Sequence, residues 1–430
     1  MTRPLSVAIA GLGTVGAGVV KLLRENADLI AARAGRPIAV TAVSARDRTR
    51  DRGIALTGLR WYDDPVELAG DTGADVIVEV IGGSEGPARA LIQAALAAKK
   101  SVVTANKALL AVHGATLAAL AEKSGVALAF EASVAGGIPV IKALREGLAA
   151  NRISRIAGIL NGTCNYILTV MRERGREFAE VLHDAQKLGY AETDPAFDVD
   201  GIDAAHKLAI LAALAFGRPV AFDDVYIEGI RRVSALDIAF ASELGYRIKL
   251  LGIARHTDAG IEARVHPCMV PETAPIARVD GVFNAVVAEG DFVGRVMLEG
   301  RGAGAGPTAS AVVADLIDLA RGRTTPVWGA GSGQLSHAPS VPMSAHTGAY
   351  YLRLMVVDRP GVIADVTAVL RDAGVSLESM LQRGRSPGEA VPVVLVTHET
   401  GEAAMRAALV RIAALDAVLE EPALIRIEPA

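Results

Sequence analysis

Acidic residues gather just before a lysine in the stretch AETDPAFDVDGIDAAHK, residues 191–207. Asp203 and Lys207 stand four positions apart, a spacing that places both side chains on one face of a helix. The segment that follows, LAILAALAF, is apolar almost all round, so an unpaired ammonium group beside it would be costly. Asp203 could therefore keep Lys207 charged and orient it, while Glu192 and Asp198 face the same pocket.

A positioned ammonium group suits the reduction of a carbonyl. Hydride delivered from a nicotinamide to the carbonyl carbon leaves an alkoxide, and Lys207 could protonate that oxygen as it forms. In the opposite direction neutral lysine would act as the base, so activity should rise as the pH approaches the pKa of the lysine. The extra carboxylates suit a substrate that carries an ammonium group. The plain alternative is an exposed helical ion pair, which contributes about 0.2 to 0.5 kcal/mol.

A glycine loop near the N-terminus predicts a nucleotide site. The segment SVAIAGLGTVGAGVVKLL has the pattern GxGxxG between an apolar strand and a helix. Its first glycine permits the tight turn, the second lets the backbone approach a pyrophosphate at the helix N-terminus, and the third allows close helix packing. The predicted cofactor contacts in this loop are Gly11, Leu12, Gly13, Thr14, Val15 and Gly16.

The second strand indicates which dinucleotide binds. It ends in AVSARD, which places Arg46 where an acidic residue would normally accept the ribose 2′-hydroxyl. Arginine suits a 2′-phosphate through its planar set of donors. NADP is therefore the favoured cofactor and NAD a possible one. The alternative for Arg46 is a solvated loop residue.

Composition excludes several classes of function. The chain has 430 residues, a formal net charge of -4 and 4% aromatic residues, without a basic block, which argues against nucleic-acid binding. No apolar run is long enough to predict a membrane span. The two cysteines lack metal-ligand spacing and fit a reducing, cytoplasmic compartment. The N-terminal segment could pass for a signal peptide, but the glycines inside it argue against that.

The order of the predicted elements divides the chain into three domains. Residues 1–131 alternate short apolar strands with amphipathic helices, which is typical of a Rossmann-type parallel α/β sheet. Residues 132–322 have longer helices and indicate an α+β domain, for which the family resemblance described below implies a catalytic and dimerisation role. Residues 323–348 are rich in Gly, Pro, Ser and Thr and predict a linker. Residues 349–430 follow the order β-α-β-β-α-β of a ferredoxin-like domain.

Several of these segments resemble one enzyme family. The stretch AQKLGYAETDPAFDVDGIDAAHK, from Ala185 to Lys207, is similar to the signature of homoserine dehydrogenases of the monofunctional type, which carry a C-terminal ACT domain. TANKALLA, EASVAGGIPVI, GILNGTCNYIL and GAGAGPTASAVVADL extend the resemblance over nearly the whole chain. It implies reversible, NAD(P)H-dependent reduction of L-aspartate 4-semialdehyde to L-homoserine in threonine and methionine biosynthesis.

The resemblance also implies roles for individual residues. Lys207 is the expected proton donor and Asp203 orients it, while Lys107 is a second catalytic lysine that also contacts the cofactor. A solvated lysine at a helix start is the alternative for Lys107. Glu192 and Asp198 are expected to bind the substrate ammonium group. Further implied contacts are Gly162, Thr163 and Tyr190 to the substrate, and Thr104 and Gly306, within the late loop 302–307, to the cofactor.

Two further ligands are implied in the same way. A structural monovalent cation, expected to be sodium, would be held by the carboxylate of Glu131 and by the carbonyls of Val134, Gly136 and Ile138. In the ACT domain, Gly361 would let a small amino acid approach the first helix, with threonine as the expected effector. Such domains pair across subunits, so a homodimer or homotetramer is expected. The alternative is that the ACT domain serves assembly alone.

Two other functions stay open at this point. An aldehyde-oxidising dehydrogenase that phosphorylates aspartate semialdehyde would need a cysteine nucleophile beside a histidine base, and Cys164 is the candidate. A non-catalytic amino-acid sensor could keep the nucleotide domain as a scaffold. Such a sensor would need neither Lys107 nor Lys207.

Overall fold

The computed structural model describes residues 3–383 and 386–429. Its first domain contains β1 (Leu5–Ala10), α1 (Thr14–Glu25), α2 (Ala27–Ala34), β2 (Ile38–Ser44), β3 (Arg60–Tyr62), β4 (Val76–Glu79), α3 (Pro87–Ala97), β5 (Ser101–Thr104), α4 (Lys107–Ser124) and β6 (Leu128–Ala129). The six strands form a parallel sheet in the order β3-β2-β1-β4-β5-β6. This is the Rossmann order that the sequence predicts, and it places a ligand crevice beyond the carboxyl ends of β1 and β4.

The second domain surrounds one long apolar helix. Its elements are α5 (Val140–Lys142), β7 (Ile153–Ile159), α6 (Gly162–Arg174), α7 (Phe178–Lys187), α8 (Ala196–Val199), α9 (Ile202–Phe216), β8 (Tyr226–Ile227), α10 (Ala235–Glu243), β9 (Tyr246–Thr257), β10 (Gly260–Pro271), β11 (Phe283–Gly290), β12 (Gly294–Arg301) and α11 (Ala305–Ala320). Helix α9 packs against β7, β9 and β10, and its residues from Asp203 to Leu214 are all buried. A helix that is apolar all round belongs inside the protein, as its sequence indicates.

Helix α11 packs in a different domain from the one predicted. The sequence assigns residues 305–320 to the second domain, but α11 lies against α1, and Val312 and Leu316 share a buried cluster with Val19 and Val20. The physical reason is the path of the chain. An amphipathic helix shows which face must be buried but does not show which core buries it.

The predicted linker is also packed rather than free. Trp328 is 1% exposed, and its ring centroid lies 5.2 Å from that of Phe130. A short strand, β13 (Ser340–Val341), pairs with β10. Gly, Pro and Ser predict irregular backbone, which this segment has, but irregular backbone with an apolar anchor can still cover a core.

The third domain continues the sheet of the second. It contains β14 (Thr347–Val357), α12 (Val362–Asp372), β15 (Leu377–Gln382), β16 (Ala390–Thr397), β17 (Thr400–Gly401), α13 (Glu402–Ala413) and β18 (Ala423–Ile427). The strand order β18-β14-β16-β15 confirms the ferredoxin-like prediction. Strand β18 pairs with β10, and Arg426 of β18 is 1% exposed and bonded to Glu228 and Glu402. Among the residues with assigned structure, no helix is long and apolar enough to cross a membrane.

Candidate active site

One carboxylate joins the two lysines that the sequence singles out. Asp203 and Lys207 lie one turn apart on α9, and Lys207 Nζ is 2.7 Å from Asp203 Oδ2. Lys107, the first residue of α4, places its Nζ 2.9 Å from Asp203 Oδ1. The ammonium of Lys207 also donates to the carbonyl oxygen of Leu160, at 2.7 Å. The nucleotide domain and the second domain therefore meet at this carboxylate.

Burial controls the protonation of this group. The side chains of Asp203 and Lys207 are 5% and 10% exposed. Burial opposes ionisation of Asp203, but the charges of Lys207 and Lys107 outweigh it and hold the pKa of Asp203 below its usual value. Burial lowers the pKa of Lys207, Asp203 opposes that shift, and the charge of Lys107 adds to it. Lys207 therefore gives up its proton more readily than a surface lysine does.

Asn161 connects the carboxylates, and sequence reasoning missed it. Its Nδ2 donates to Asp198 Oδ1 at 2.7 Å and to Asp203 Oδ2 at 2.8 Å. Its Oδ1 accepts from the N–H of Cys164 at 2.8 Å and so caps α6. An asparagine directly before a helix is a common N-cap, and that signal was present in the sequence. Asp198 is therefore linked through the Asn161 amide to Asp203, which contacts both lysines.

The predicted substrate contacts lie around the start of α6. Gly162 begins this helix, and a Cβ atom there would lie 2.8 Å from the carbonyl oxygen of Val282, so the position favours glycine. Thr163 donates its hydroxyl hydrogen to the carbonyl of Tyr190 at 2.8 Å. Glu192 is exposed on the following loop. Within residues 3–383 and 386–429 no ion pair joins its carboxylate to either lysine, so its role stays a prediction.

Phe197 and His206 add an aromatic layer that the sequence did not reveal. The ring of Phe197 lies 5.8 Å from Lys107 Nζ and 5.5 Å from the ring of His206, centroid to centroid for the rings. His206 also stacks against Phe222 at 4.4 Å. Burial lowers the pKa of His206 and favours its neutral form. The ring of Phe197 therefore lies beside the ammonium of Lys107.

The glycine loop forms one wall of a cleft beside β1 and β4. Gly11, Leu12 and Gly13 line this cleft together with residues 44–47 and 80–81. Gly11 has a φ of +97°, and a Cβ atom at Gly16 would lie 1.9 Å from its carbonyl oxygen, so both positions require glycine. Gly13 is the N-cap of α1, which begins at Thr14 and continues through Val15. The free N–H groups of this helix start face a site suited to phosphate.

One end of the same cleft is rich in arginine. Arg46, Arg50 and Arg52 line it. Asp47 lies there too, but its Oδ1 accepts the N–H of Thr49 at 2.8 Å and its hydroxyl at 2.7 Å. These hydrogen bonds, the hydroxyl first, lower the pKa of Asp47. The carboxylate is thus engaged by its own loop, whereas the exposed Arg46 can meet an anion.

The other two predicted cofactor residues are placed differently from each other. Thr104 ends β5, is fully buried, and donates its hydroxyl hydrogen to Glu79 Oε2 at 2.6 Å. Gly306 lies in the first turn of α11 and is exposed. That turn packs against α1, because a Cβ atom at Gly18 would lie 2.9 Å from the carbonyl oxygen of Ala305.

The residues predicted to hold a cation lie in one buried turn. Glu131 is 2% exposed, and its two carboxylate oxygens accept the N–H groups of Ile141 and Lys142 at 3.0 and 2.8 Å. Burial, with the nearby charge of Asp315, raises the pKa of Glu131 to about 7. The carbonyl of Ile138 accepts from the N–H of Val140 at 2.7 Å.

The remaining oxygens of this turn are available to a ligand. Val134 and Gly136 are buried, and in the part of the chain that the structure describes no backbone N–H reaches their carbonyl oxygens. Buried polar atoms normally find partners. Two unpaired carbonyls in the same turn as a carboxylate fit a hard cation that prefers oxygen ligands.

Gly361 and Cys164 bear on the remaining predictions. Gly361 is the N-cap of α12 with a φ of +95°, and a Cβ atom there would meet nothing within 4 Å. Space is therefore open at the start of the first ACT helix.

The thiol of Cys164 donates to the carbonyl oxygen of Asp198 at 3.2 Å, and burial raises the pKa of the thiol well above its ordinary value. Such a thiol is a poor nucleophile, which argues against the aldehyde-oxidising alternative.

Known proteins share this architecture from end to end. A family model described as homoserine dehydrogenase matches residues 139–317, one described as its NAD binding domain matches residues 11–131, and the ACT domain model matches residues 350–414. The homoserine dehydrogenase of Neisseria gonorrhoeae is 47% identical and that of Pseudomonas aeruginosa 48%, each over 99% of both chains. A crystal structure of a homoserine dehydrogenase from Thiobacillus denitrificans matches with 49% identity and a TM-score of 0.94, again over 99% of each chain.

Proposed function

Because this chain belongs to the homoserine dehydrogenase family, we propose that Lys207 is the proton donor of its reaction. The protein is an NAD(P)-dependent oxidoreductase that interconverts L-aspartate 4-semialdehyde and L-homoserine. The observation that supports the role of Lys207 is its buried contact with Asp203, which Lys107 shares. The test follows the absorbance of the reduced nicotinamide in both directions with variants of Lys207, and unchanged turnover would contradict the assignment.

The proposed step balances with one hydride and one proton. Gly11, Leu12 and Gly13 would hold the nicotinamide cofactor, which would supply the hydride for the new C–H bond at the aldehyde carbon and be oxidised in doing so. The electron pair of the carbonyl moves to oxygen, and the ammonium of Lys207 gives this oxygen a proton and becomes a neutral amine. Asp203 stays ionised and holds Lys207 in place. Lys107 favours release of the proton, because its charge lowers the pKa of Lys207.

Carboxylates beside this group are proposed to bind the substrate ammonium group. Asp198 is connected to Asp203 through Asn161, so its charge lies in the same pocket as Lys207. Glu192, on the exposed loop that Thr163 ties down at Tyr190, is proposed as the second contact. Two carboxylates at one end of the pocket would orient an amino-acid substrate with its aldehyde toward Lys207.

NADP is proposed as the preferred cofactor, and Arg46 provides the test. Arg46→Ala should raise the KM for NADP about 10- to 100-fold, because a charge-assisted hydrogen bond contributes about 1.5 to 3 kcal/mol. The KM for NAD should change far less, since NAD lacks the 2′-phosphate. Steady-state kinetics with both cofactors measure this. Arg48→Ala is the matched control from the same loop, and an equal effect of Arg46→Ala on both cofactors would contradict the proposal.

A sodium ion is proposed to bind at Glu131 with the carbonyls of Val134, Gly136 and Ile138, in a structural role. Its charge would offset the burial of the Glu131 carboxylate. Replacing sodium with tetramethylammonium at equal ionic strength should lower Tm by several degrees, because a ligand at 100 times its Kd stabilises the native state by about 2.7 kcal/mol. Differential scanning calorimetry measures the shift. Glu131→Gln should abolish the difference, the exposed Glu146→Gln should keep it, and a sodium-independent wild type would exclude the site.

The ACT domain is proposed to bind threonine near Gly361, where the space at the start of α12 is open. Calorimetric titration with L-threonine tests this, and absence of heat would leave the domain an assembly role. A homodimer or homotetramer is proposed, which light scattering distinguishes from a monomer.

A cytoplasmic location is also proposed. Both cysteines are buried and unpaired, which supports it.

A further inference from the structure

A fully buried carboxylate stands at the end of β4, outside the roles assigned so far. Glu79 is 0% exposed, and within the described residues it forms no ion pair. Its Oε1 accepts the N–H groups of Ile81 at 2.7 Å and Gly82 at 3.1 Å. Its Oε2 accepts the hydroxyl of Thr104 at 2.6 Å. A carboxylate buried without a cation is costly, so three aligned donors at this position need an explanation.

One side of Glu79 controls the loop that faces the cofactor. Ile81 lines the nucleotide cleft together with the glycine loop. Gly82 and Gly83 follow with φ values of +89° and +85°, a backbone that regular secondary structure does not stabilise. The two hydrogen bonds that the Glu79 carboxylate accepts therefore fix the part of this loop that a bound nicotinamide cofactor would meet.

The other side of Glu79 leads to the second lysine. Thr104 Oγ1 accepts the N–H of Asn106 at 3.0 Å. Asn106 Oδ1 caps α4 by accepting from the N–H of Leu109 at 3.1 Å, and its Nδ2 donates to the carbonyl of Gly83 at 2.7 Å. The hydrogen bonds thus close a ring from the cofactor loop through Glu79, Thr104 and Asn106 back to the loop. Lys107 directly follows Asn106, the last member of this ring, in the chain.

We propose that Glu79 is a positioning residue that fixes Lys107 relative to the cofactor loop, so that an ordered cofactor site and the contact of Lys107 with Asp203 are formed together. The inference rests on the proposed function, because it deepens the role of Lys107. The side chain of Lys107 is 34% exposed, and its ammonium meets Asp203 and Phe197 only when the backbone at Lys107 is correctly placed. Its position depends on the start of α4, which this ring holds. Glu79 is fully buried, so it acts through this ring and not on the reacting atoms.

The test removes the hydrogen bond between Thr104 and Glu79 by changing each partner in turn. Glu79→Gln keeps the shape and one acceptor oxygen for the loop N–H groups, but its amide nitrogen cannot accept the hydroxyl hydrogen of Thr104. Thr104→Val removes that hydroxyl at nearly constant volume. Each should lower kcat for homoserine oxidation about tenfold, because small misplacements of catalytic groups are costly. The KM for NADP should change less than kcat in Thr104→Val, because the Thr104 hydroxyl is buried against Glu79 and Glu79 still holds the loop. The double variant should be no worse than either single one, since both remove the same link.

The pH profile separates positioning from a merely structural role. The titratable groups facing Lys207 are Asp203 and His206 on its own helix, Lys107 on α4, and Asp198 and Cys164 from neighbouring elements. If Lys107 leaves Asp203, Lys207 loses a like charge and its pKa rises, so the acid limb of homoserine oxidation should move to higher pH. A structural role would lower Tm and leave this limb in place.

The control and the contrary results are distinct. Glu25→Gln removes an exposed carboxylate at the end of α1, paired with Lys21 at 3.7 Å, and should change neither kcat nor the acid limb of the pH profile. Tm and NADPH fluorescence report whether each variant is folded and binds the cofactor. Unchanged kcat and limb in both folded variants would overturn the role of Glu79 alone. Full turnover in a Lys207 variant would instead overturn the proposed function.

Discussion

Replacing Lys207 with methionine should lower kcat roughly 10²- to 10⁴-fold in both directions of the reaction, the contribution expected of a positioned general acid or base. Methionine fills nearly the same buried volume but carries no proton. Asp203 keeps Lys107 as a partner in this variant, so the carboxylate is not left without a counter-charge. The values of kcat/KM for the two directions must fall by the same factor, because a catalyst cannot change the equilibrium. Steady-state rates from the absorbance of the reduced nicotinamide measure both.

A matched lysine and a small amine make this result specific. Lys187→Met removes an exposed lysine from α7 and should leave kcat unchanged. Lys207→Ala leaves space at Asp203, where added ethylamine could take the place of the missing ammonium and restore part of the activity. If Lys207→Met retains more than about a tenth of wild-type kcat, the proton comes from another group.

The sequence predicted the parts of this structure that repeat a local pattern. The strands of the Rossmann sheet, the GxGxxG loop and the ferredoxin-like order follow from periodicity and glycine placement, and the comparisons confirm them. The contact of Asp203 with Lys207 also follows from spacing, because both lie on one helix face. Each of these inferences needs only residues that are near one another in the chain.

The rest required knowledge of how distant segments meet. Lys107 lies nearly a hundred positions before Asp203 in another domain. Family resemblance marked it as a catalytic candidate, but its contact with Asp203 was not predicted. Asn161 and Glu79 look in the sequence like an ordinary helix cap and a strand-end acid. Their importance appears only when their partners on other elements are seen. For helix α11, likewise, the sequence showed an apolar face but did not show that this face packs against α1.

Asp203→Asn is expected to have the second large effect, because it removes the charge that two lysines share. Burial lowers the pKa of Lys207 and Asp203 opposes that shift, so without the carboxylate the pKa falls further. Reduction needs protonated Lys207 and is lost as the pH rises through that pKa, whereas oxidation needs the neutral amine. The acid limb of oxidation and the alkaline limb of reduction should therefore both move to lower pH, by about 1 to 3 units. A weaker base should also lower the oxidation plateau about 10²-fold.

Stability gives an independent measure of the same carboxylate. The pKa of Asp203 is lower in the folded protein than in the unfolded chain. Its stabilising contribution is therefore present above the unfolded pKa of about 4 and is lost as the pH falls toward the folded value. The Tm difference between wild type and Asp203→Asn should be large at neutral pH and shrink in acid. Asp200→Asn, which breaks the exposed pair with Arg231, should show neither effect. If Asp203→Asn left the pH limb in place, Asp203 would not set the basicity of Lys207, and the buried contact would serve packing alone.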